Sequence, residues 1–173
     1  MNDEIRELID RQQIWDCLQR CARGMDRLDE ELALSAYHSG AIEDHGPMIA
    51  PCEQFVPNVI GFHRQGELAT QHTLANHYCD LDGDVAHTET YVECLSVLPG
   101  GKARIGYGRF VDRLEKRDGR WGIVSRVSLP TGTIEALTVD VHAGATYLPG
   151  TLVRSSRDRS DPSYLRPLPV TRG

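Results

Sequence analysis

The chain has 173 residues, 40% hydrophobic and 25% charged, which is enough for one compact domain with a core and too little for two ordinary ones. That balance excludes the disordered, collagen-like and membrane classes. Nineteen Lys and Arg against 25 Asp and Glu give a net charge of −6, so no positive field gathers nucleic acid or an anionic membrane, and neither is expected as a partner.

Ile5, Leu8, Ile9, Ile14, Trp15, Leu18, Ala22 and Met25 recur at three- and four-residue steps, which predicts an amphipathic helix from about Asp3 to Gly24. Asp29, Glu30 and Glu31 place acids at the start of a short second helix through Ala36, where the helix dipole favours them. Pro47, Pro51 and Pro57 interrupt regular structure, and a further helix is expected within Asn58 to Gln71. From Thr70 the hydrophobic period changes to 2. Gln71–Leu81, Val85–Leu98, Ala103–Leu114 and Trp121–Leu129 then read as strands, joined by turns at Asp82-Gly83-Asp84, Pro99-Gly100-Gly101 and Arg117-Asp118-Gly119. Helices followed by a meander describe an α+β domain in which a curved sheet wraps over the helical layer. Residues 1–130 form the expected domain and 131–173 an extension or oligomerisation arm, polar from Arg154 and expected to be disordered or laid on a neighbouring subunit. The arm carries opposite charge to the start of the chain: residues 154–173 hold five Arg against Asp158 and Asp161, and residues 1–45 hold eleven acids against five Arg.

Cysteines 17, 21, 52, 79 and 94 are odd in number, form no CxxC pair and follow an acidic N-terminus without a secretory apolar run. A reducing cytoplasm is the expected compartment. Cys17 and Cys21, at i and i+4, are expected to pack as small apolar groups.

Four local motifs in order resemble the SnoaL-like branch of the nuclear-transport-factor-two-like superfamily, which includes scytalone dehydratase, bile-acid 7-alpha-dehydratase and hexachlorocyclohexane dehydrochlorinase. They are Ala22-Arg23-Gly24-Met25-Asp26, Tyr37-His38 through Glu43-Asp44-His45-Gly46, Thr70 to Asn76 before Asp82-Gly83-Asp84-Val85-Ala86, and Gly108-Arg109-Phe110 through Arg117-Asp118-Gly119-Arg120-Trp121. The resemblance implies a cone-shaped α+β barrel, with a curved antiparallel sheet closed by N-terminal helices around a deep, mostly apolar pocket. It also implies a homo-oligomer, a trimer through the outer sheet face or a dimer.

By the same resemblance Asp26 and His72 match a catalytic dyad. A carboxylate bonded to one ring nitrogen fixes the tautomer and makes the other a better proton acceptor, which is a general base without metal. The competing reading is a helix-ending Asp and a satisfied interior His. Arg126 matches an Arg that faces the pocket, where a fixed guanidinium could hold a leaving oxygen or an enolate; otherwise it is an exposed strand Arg. Alternation puts Val85, His87, Glu89 and Tyr91 on one strand face and Ala86, Thr88, Thr90 and Val92 on the other. The family register turns the first set to the cavity. His87 and Tyr91 thereby become candidates for substrate orientation or proton donation, and Glu89 a buried carboxylate in need of a partner. Asn76, four positions past His72, is placed on its face as a donor to a carbonyl. Met25 and Phe110, with Ile14, Leu18, Phe55, Ile60 and Phe62, are expected to shape the pocket.

No metal or cofactor is expected. His38, Asp44 and His45 belong to a motif of the branch that implies none, and strand spacing places His77 and Cys79 opposite His72. The chain departs from its relatives at Cys21, where they carry Tyr or Lys, and at Gly108 and Phe110, where scytalone dehydratase carries Ser and Asn. The expected activity is a cofactor-independent lyase acting on a small hydroxylated aromatic or alicyclic molecule, losing water or, by C–C cleavage, a small aldehyde. Isomerase or polyketide-cyclase chemistry and a noncatalytic small-ligand module are the alternatives.

Overall fold

The computed structural model describes residues 2–138 and 155–168. Helix α1 (Asp3–Arg27) starts at Asn2, whose side chain accepts the Glu4 amide at 3.1 Å, and ends where Leu28 turns left-handed with φ 52°. Gly24 therefore does not stop the helix. It is a crossing point: a Cβ there would lie 2.4 Å from the Ala33 nitrogen of α2 (Glu30–Leu34). In an open helix Gly→Ala gains up to about 1 kcal/mol. Here overpacking reverses the sign, and Gly24→Ala should lower stability by about 1–3 kcal/mol in a urea titration; a raised midpoint would contradict the close crossing.

Asp29 caps α2 by accepting the Leu32 amide at 3.1 Å. The chain then runs through β1 (Tyr37–Asp44) and β2 (Ile49–Pro51) into α3 (Cys52–Gly66). This corrects the expected helix within Asn58 to Gln71: α3 begins earlier, carries Pro57 inside it and yields to a strand at Ala69. The meander is β3 (Ala69–Asp82), β4 (Val85–Leu98), β5 (Lys102–Arg117) and β6 (Arg120–Leu137), each pair antiparallel. Its turns are where they were read. Asp118 and Gly119 both have positive φ, the conformation a two-residue hairpin needs.

The six strands lie in the order β2-β1-β6-β5-β4-β3, with β1 parallel to β6. Register shifts at Asn76, at Gly108 and beyond Arg113 let the long strands bend into a cone-like α+β fold. At the second of these Leu129 O comes so close that a Cβ on Gly108 would lie 2.3 Å from it, and β6 continues through Pro130 to Leu137. Ile14, Cys17, Leu18, Cys21 and Met25 of α1 pack with Phe55, Val56 and Ile60 of α3 against Leu114, Trp121 and Ile123 of the sheet. No described helix is long and apolar enough to cross a membrane.

The described part of the arm, residues 155–168, packs on its own chain. Asp161 caps a short turn (Pro162–Tyr164) and is 4% exposed, the Tyr164 hydroxyl donates to Asp29 at 3.0 Å, and Arg159 lies 3.4 Å from Asp29. The basic tail thus meets an acid near the end of α1, and Arg157 donates to the carbonyls of His63 at 3.2 Å and Glu67 at 2.7 Å.

Candidate functional site

A cavity of about 290 Å³ opens between α1, α3 and the concave face of the sheet. Leu18, Met25, Phe55, Val59, Val92 and Phe110 supply its apolar wall. Met25 and Phe110 are therefore where they were expected. Ile14 and Ile60 belong to the core behind it, and Phe62 is 63% exposed and away from it.

His72, on β3, lines the cavity, and Asp26, in the last turn of α1, stands behind it. Asp26 Oδ1 is 2.7 Å from His72 Nδ1, and its Oδ2 accepts the His72 amide at 2.8 Å. Two bonds to one carboxylate fix both the ring and its backbone, leaving Nε2 as the nitrogen for a ligand. Burial alone would lower the His72 pKa, but the bond to Asp26, the Cys94 thiol across the strand pair and the negative charge of Asp26 raise it to about 10. Burial pushes Asp26 up, yet its bonds with His72 outweigh this and hold it below the usual carboxylate range. The surroundings of His72 thus favour its protonated form.

Arg126 also lines the cavity and is 4% exposed. Its Nε and Nη2 donate to Asp112 Oδ1 and Oδ2 at 2.6 and 3.0 Å, its Cζ sits 4.2 Å from the Phe110 ring centroid, and Nη1 donates to Cys21 Sγ at 3.5 Å. Asp112 faces it because the two residues are register partners on β5 and β6. Burial holds Asp112 above the ordinary carboxylate value even against the charge of Arg126.

Cys21 packs in the core as expected, and its thiol also joins a polar chain. Its sulfur is 3.1 Å from the Tyr37 hydroxyl, which donates in turn to the fully buried Glu43. Glu43 Oε2 lies 3.1 Å from His45 Nε2 without hydrogen-bond alignment. Tyr37 from β1 thereby brings a phenol to the helix position where relatives were said to carry Tyr or Lys. Cys17 also packs in the core, its thiol donating to the Ala36 carbonyl.

The expected facing of β4 is reversed. Ala86, Thr88, Thr90 and Val92 are the buried set, because they pair with Leu114, Asp112, Phe110 and Gly108 on the concave face of β5. His87 is exposed, Tyr91 is 47% exposed under the Arg109 guanidinium, and Glu89 pairs with Arg109 at 3.0 Å on the outer surface. None of the three reaches the cavity. Nor does Asn76, an exposed residue with φ 41° at the β3 bulge. The extra residue also returns His77 and Cys79 to the face of His72, contrary to plain alternation, and His77 packs 4.9 Å from Trp15 and bonds Thr90. Among the described residues no three His, Cys, Asp or Glu side chains converge as a metal-holding group. His38 is taken up by Glu115 O and Arg120.

Sequence reasoning missed a second histidine in the cavity. His63, in the last turn of α3, is 9% exposed, and its Nδ1 is 2.5 Å from Oε2 of Glu67, itself 6% exposed. The signal was the i,i+4 His and Glu spacing at a helix end. Burial, only partly countered by Glu67, holds His63 below the ordinary 6.5.

The SnoaL-like domain family matches residues 6–127. No curated protein matches the sequence. Among solved structures, hexachlorocyclohexane dehydrochlorinase LinA-type3 from Novosphingobium barchaimii LL02 is 19% identical with a TM-score of 0.68 over 84% of this chain and 99% of its own. A candidate scytalone dehydratase from Novosphingobium aromaticivorans DSM 12444 is 18% identical, TM-score 0.66, over 80% of this chain and 97% of its own. Kfla4162 from Kribbella flavida is 17% identical, TM-score 0.68, over 74% and 95%.

Proposed function

Because the chain belongs to the SnoaL-like domain family, we propose that its cavity is the active site of a cofactor-independent lyase for a small hydroxylated aromatic or alicyclic molecule. The observation that carries this reading is the 2.7 Å bond between Asp26 and His72 at the wall of a mostly apolar hollow. His72 is the residue that exchanges a proton with the substrate. Arg126, with Nη1 left over from its bonds to Asp112, stabilises negative charge on a substrate oxygen in a site where low dielectric strengthens every such contact. Proton transfer by one positioned group contributes about 10²–10⁴-fold, so the fixed charge and the apolar wall supply the remainder.

The aldol adduct of benzaldehyde and acetone is a minimal probe, since it can lose water to an enone or break its C–C bond to release benzaldehyde. Enone formation by the full chain, absent in His72→Gln, is the expected result, read by product mass. Benzaldehyde release would support the C–C lyase form, and an unchanged mass with altered proton positions the isomerase form. Saturable binding in the cavity with no product from any hydroxy ketone, phenol or alicyclic alcohol in a panel would leave a binding module and overturn the lyase.

A further inference from the structure

We propose that His63, held by Glu67, is the base of this site and that His72 is its acid, the two rings addressing one substrate from different walls. This rests on the cavity being a proton-transfer site and adds a residue and a direction to it. His63 comes from α3 and His72 from β3, both line the cavity, and their rings meet edge-on with centroids 6.2 Å apart at 82°. Each has its Nδ1 on a carboxylate, so each keeps Nε2 for a ligand.

The surroundings separate the two rings. His72 faces Asp26 and, across the strand pair, Cys94, surroundings that favour its protonated form. His63 faces one carboxylate, that of Glu67, whose other oxygen accepts Arg104 Nη2 at 3.1 Å, and it also feels the charges of His72 and Arg157. One excess proton between two neighbouring imidazoles therefore resides on His72 and leaves His63 free to accept.

In the forward step His63 Nε2 takes the proton from the carbon beside a substrate carbonyl. The C–H electron pair becomes the enolate double bond, and the carbonyl pair moves to oxygen beside Arg126. The enolate then re-forms the carbonyl, the C–O bond of a β-hydroxyl breaks, and the departing oxygen takes the His72 proton to leave as water. His63 has gained one proton and His72 has lost one, and transfer from the first ring to the second restores the resting state. The substrate class is accordingly a β-hydroxy ketone or its vinylogous phenolic equivalent.

Deuterium uptake by β-tetralone in heavy water tests the base without requiring a leaving group. The full wild-type chain is expected to exchange the activated methylene with a rate that rises through a midpoint below 6.5 and then levels off. His63→Gln should slow exchange by about 10²–10³-fold and erase the acid limb. Glu67→Gln should keep the limb and move it to lower pH, a change that a packing role would not produce. Should His63→Gln exchange at the wild-type rate with its acid limb intact while His72→Gln is silent, His63 is overturned and the dyad stands. Should wild type match buffer, or both variants match wild type, the proton-transfer reading falls with it.

Discussion

Asp26→Asn is expected to move the His72 titration down from about 10, because burial then acts on the ring with only Cys94 left to oppose it. Asn offers a single acceptor oxygen, whereas Asp26 accepts from both Nδ1 and the His72 amide, so one buried donor also loses its partner. Activity at neutral pH should fall by about 10²–10⁴-fold. Stability has a definite sign at each end. The raised His72 pKa means that its contribution is complete below 6.5 and disappears as pH climbs through about 10. The depressed Asp26 pKa means that its contribution is present above 3.8 and disappears in acid. Wild type should therefore exceed Asp26→Asn in unfolding midpoint between these limits, by about 3 kcal/mol, and converge with it outside them. Ring resonances of His72 followed by NMR across pH provide the check. A titration unchanged by the substitution would remove Asp26 from the account.

The largest loss of stability should come from Asp112→Ala. Arg126 is charged, nearly inaccessible and bonded through two nitrogens to that one carboxylate. Removing the partner leaves a buried cation, at a cost of about 3–5 kcal/mol. The double variant Asp112→Leu/Arg126→Met should recover most of it, since apolar replacement of a whole buried pair is often neutral. Urea unfolding of both variants measures the difference. Because the recovered protein would lack its only Phe110-stacked cation among the described residues, it should fold yet show little turnover of the aldol adduct. A double variant as unstable as Asp112→Ala would mean that the cost lies in packing rather than charge.

Both regular periods were plain in the sequence, and with them α1 and the four meander strands, because long alternating or helical runs are local signals. The strand β1 was not, since Tyr37-His38-Ser39-Gly40 lacks alternation and its pairing with β6 is parallel and distant in the chain. The dyad was legible from the motif match, while the facing of β4 was not. The family register turned His87, Glu89 and Tyr91 inward, and only pairing with β5 shows that Ala86, Thr88, Thr90 and Val92 are the interior set. The bulge at Asn76 leaves one trace, a residue type that tolerates positive φ. His63, Glu67 and Asp112 stayed hidden because each gains its meaning from a partner on the helix or strand beside it.

The clasp of Arg157 on the carbonyls of His63 and Glu67 has a consequence for how the molecule comes into being. Helices and meander precede it on the chain, so they can condense while synthesis continues. The wall that carries His63 gains this fastening only once Arg157, which follows the helices and the meander on the chain, has been made, so the hollow is completed last.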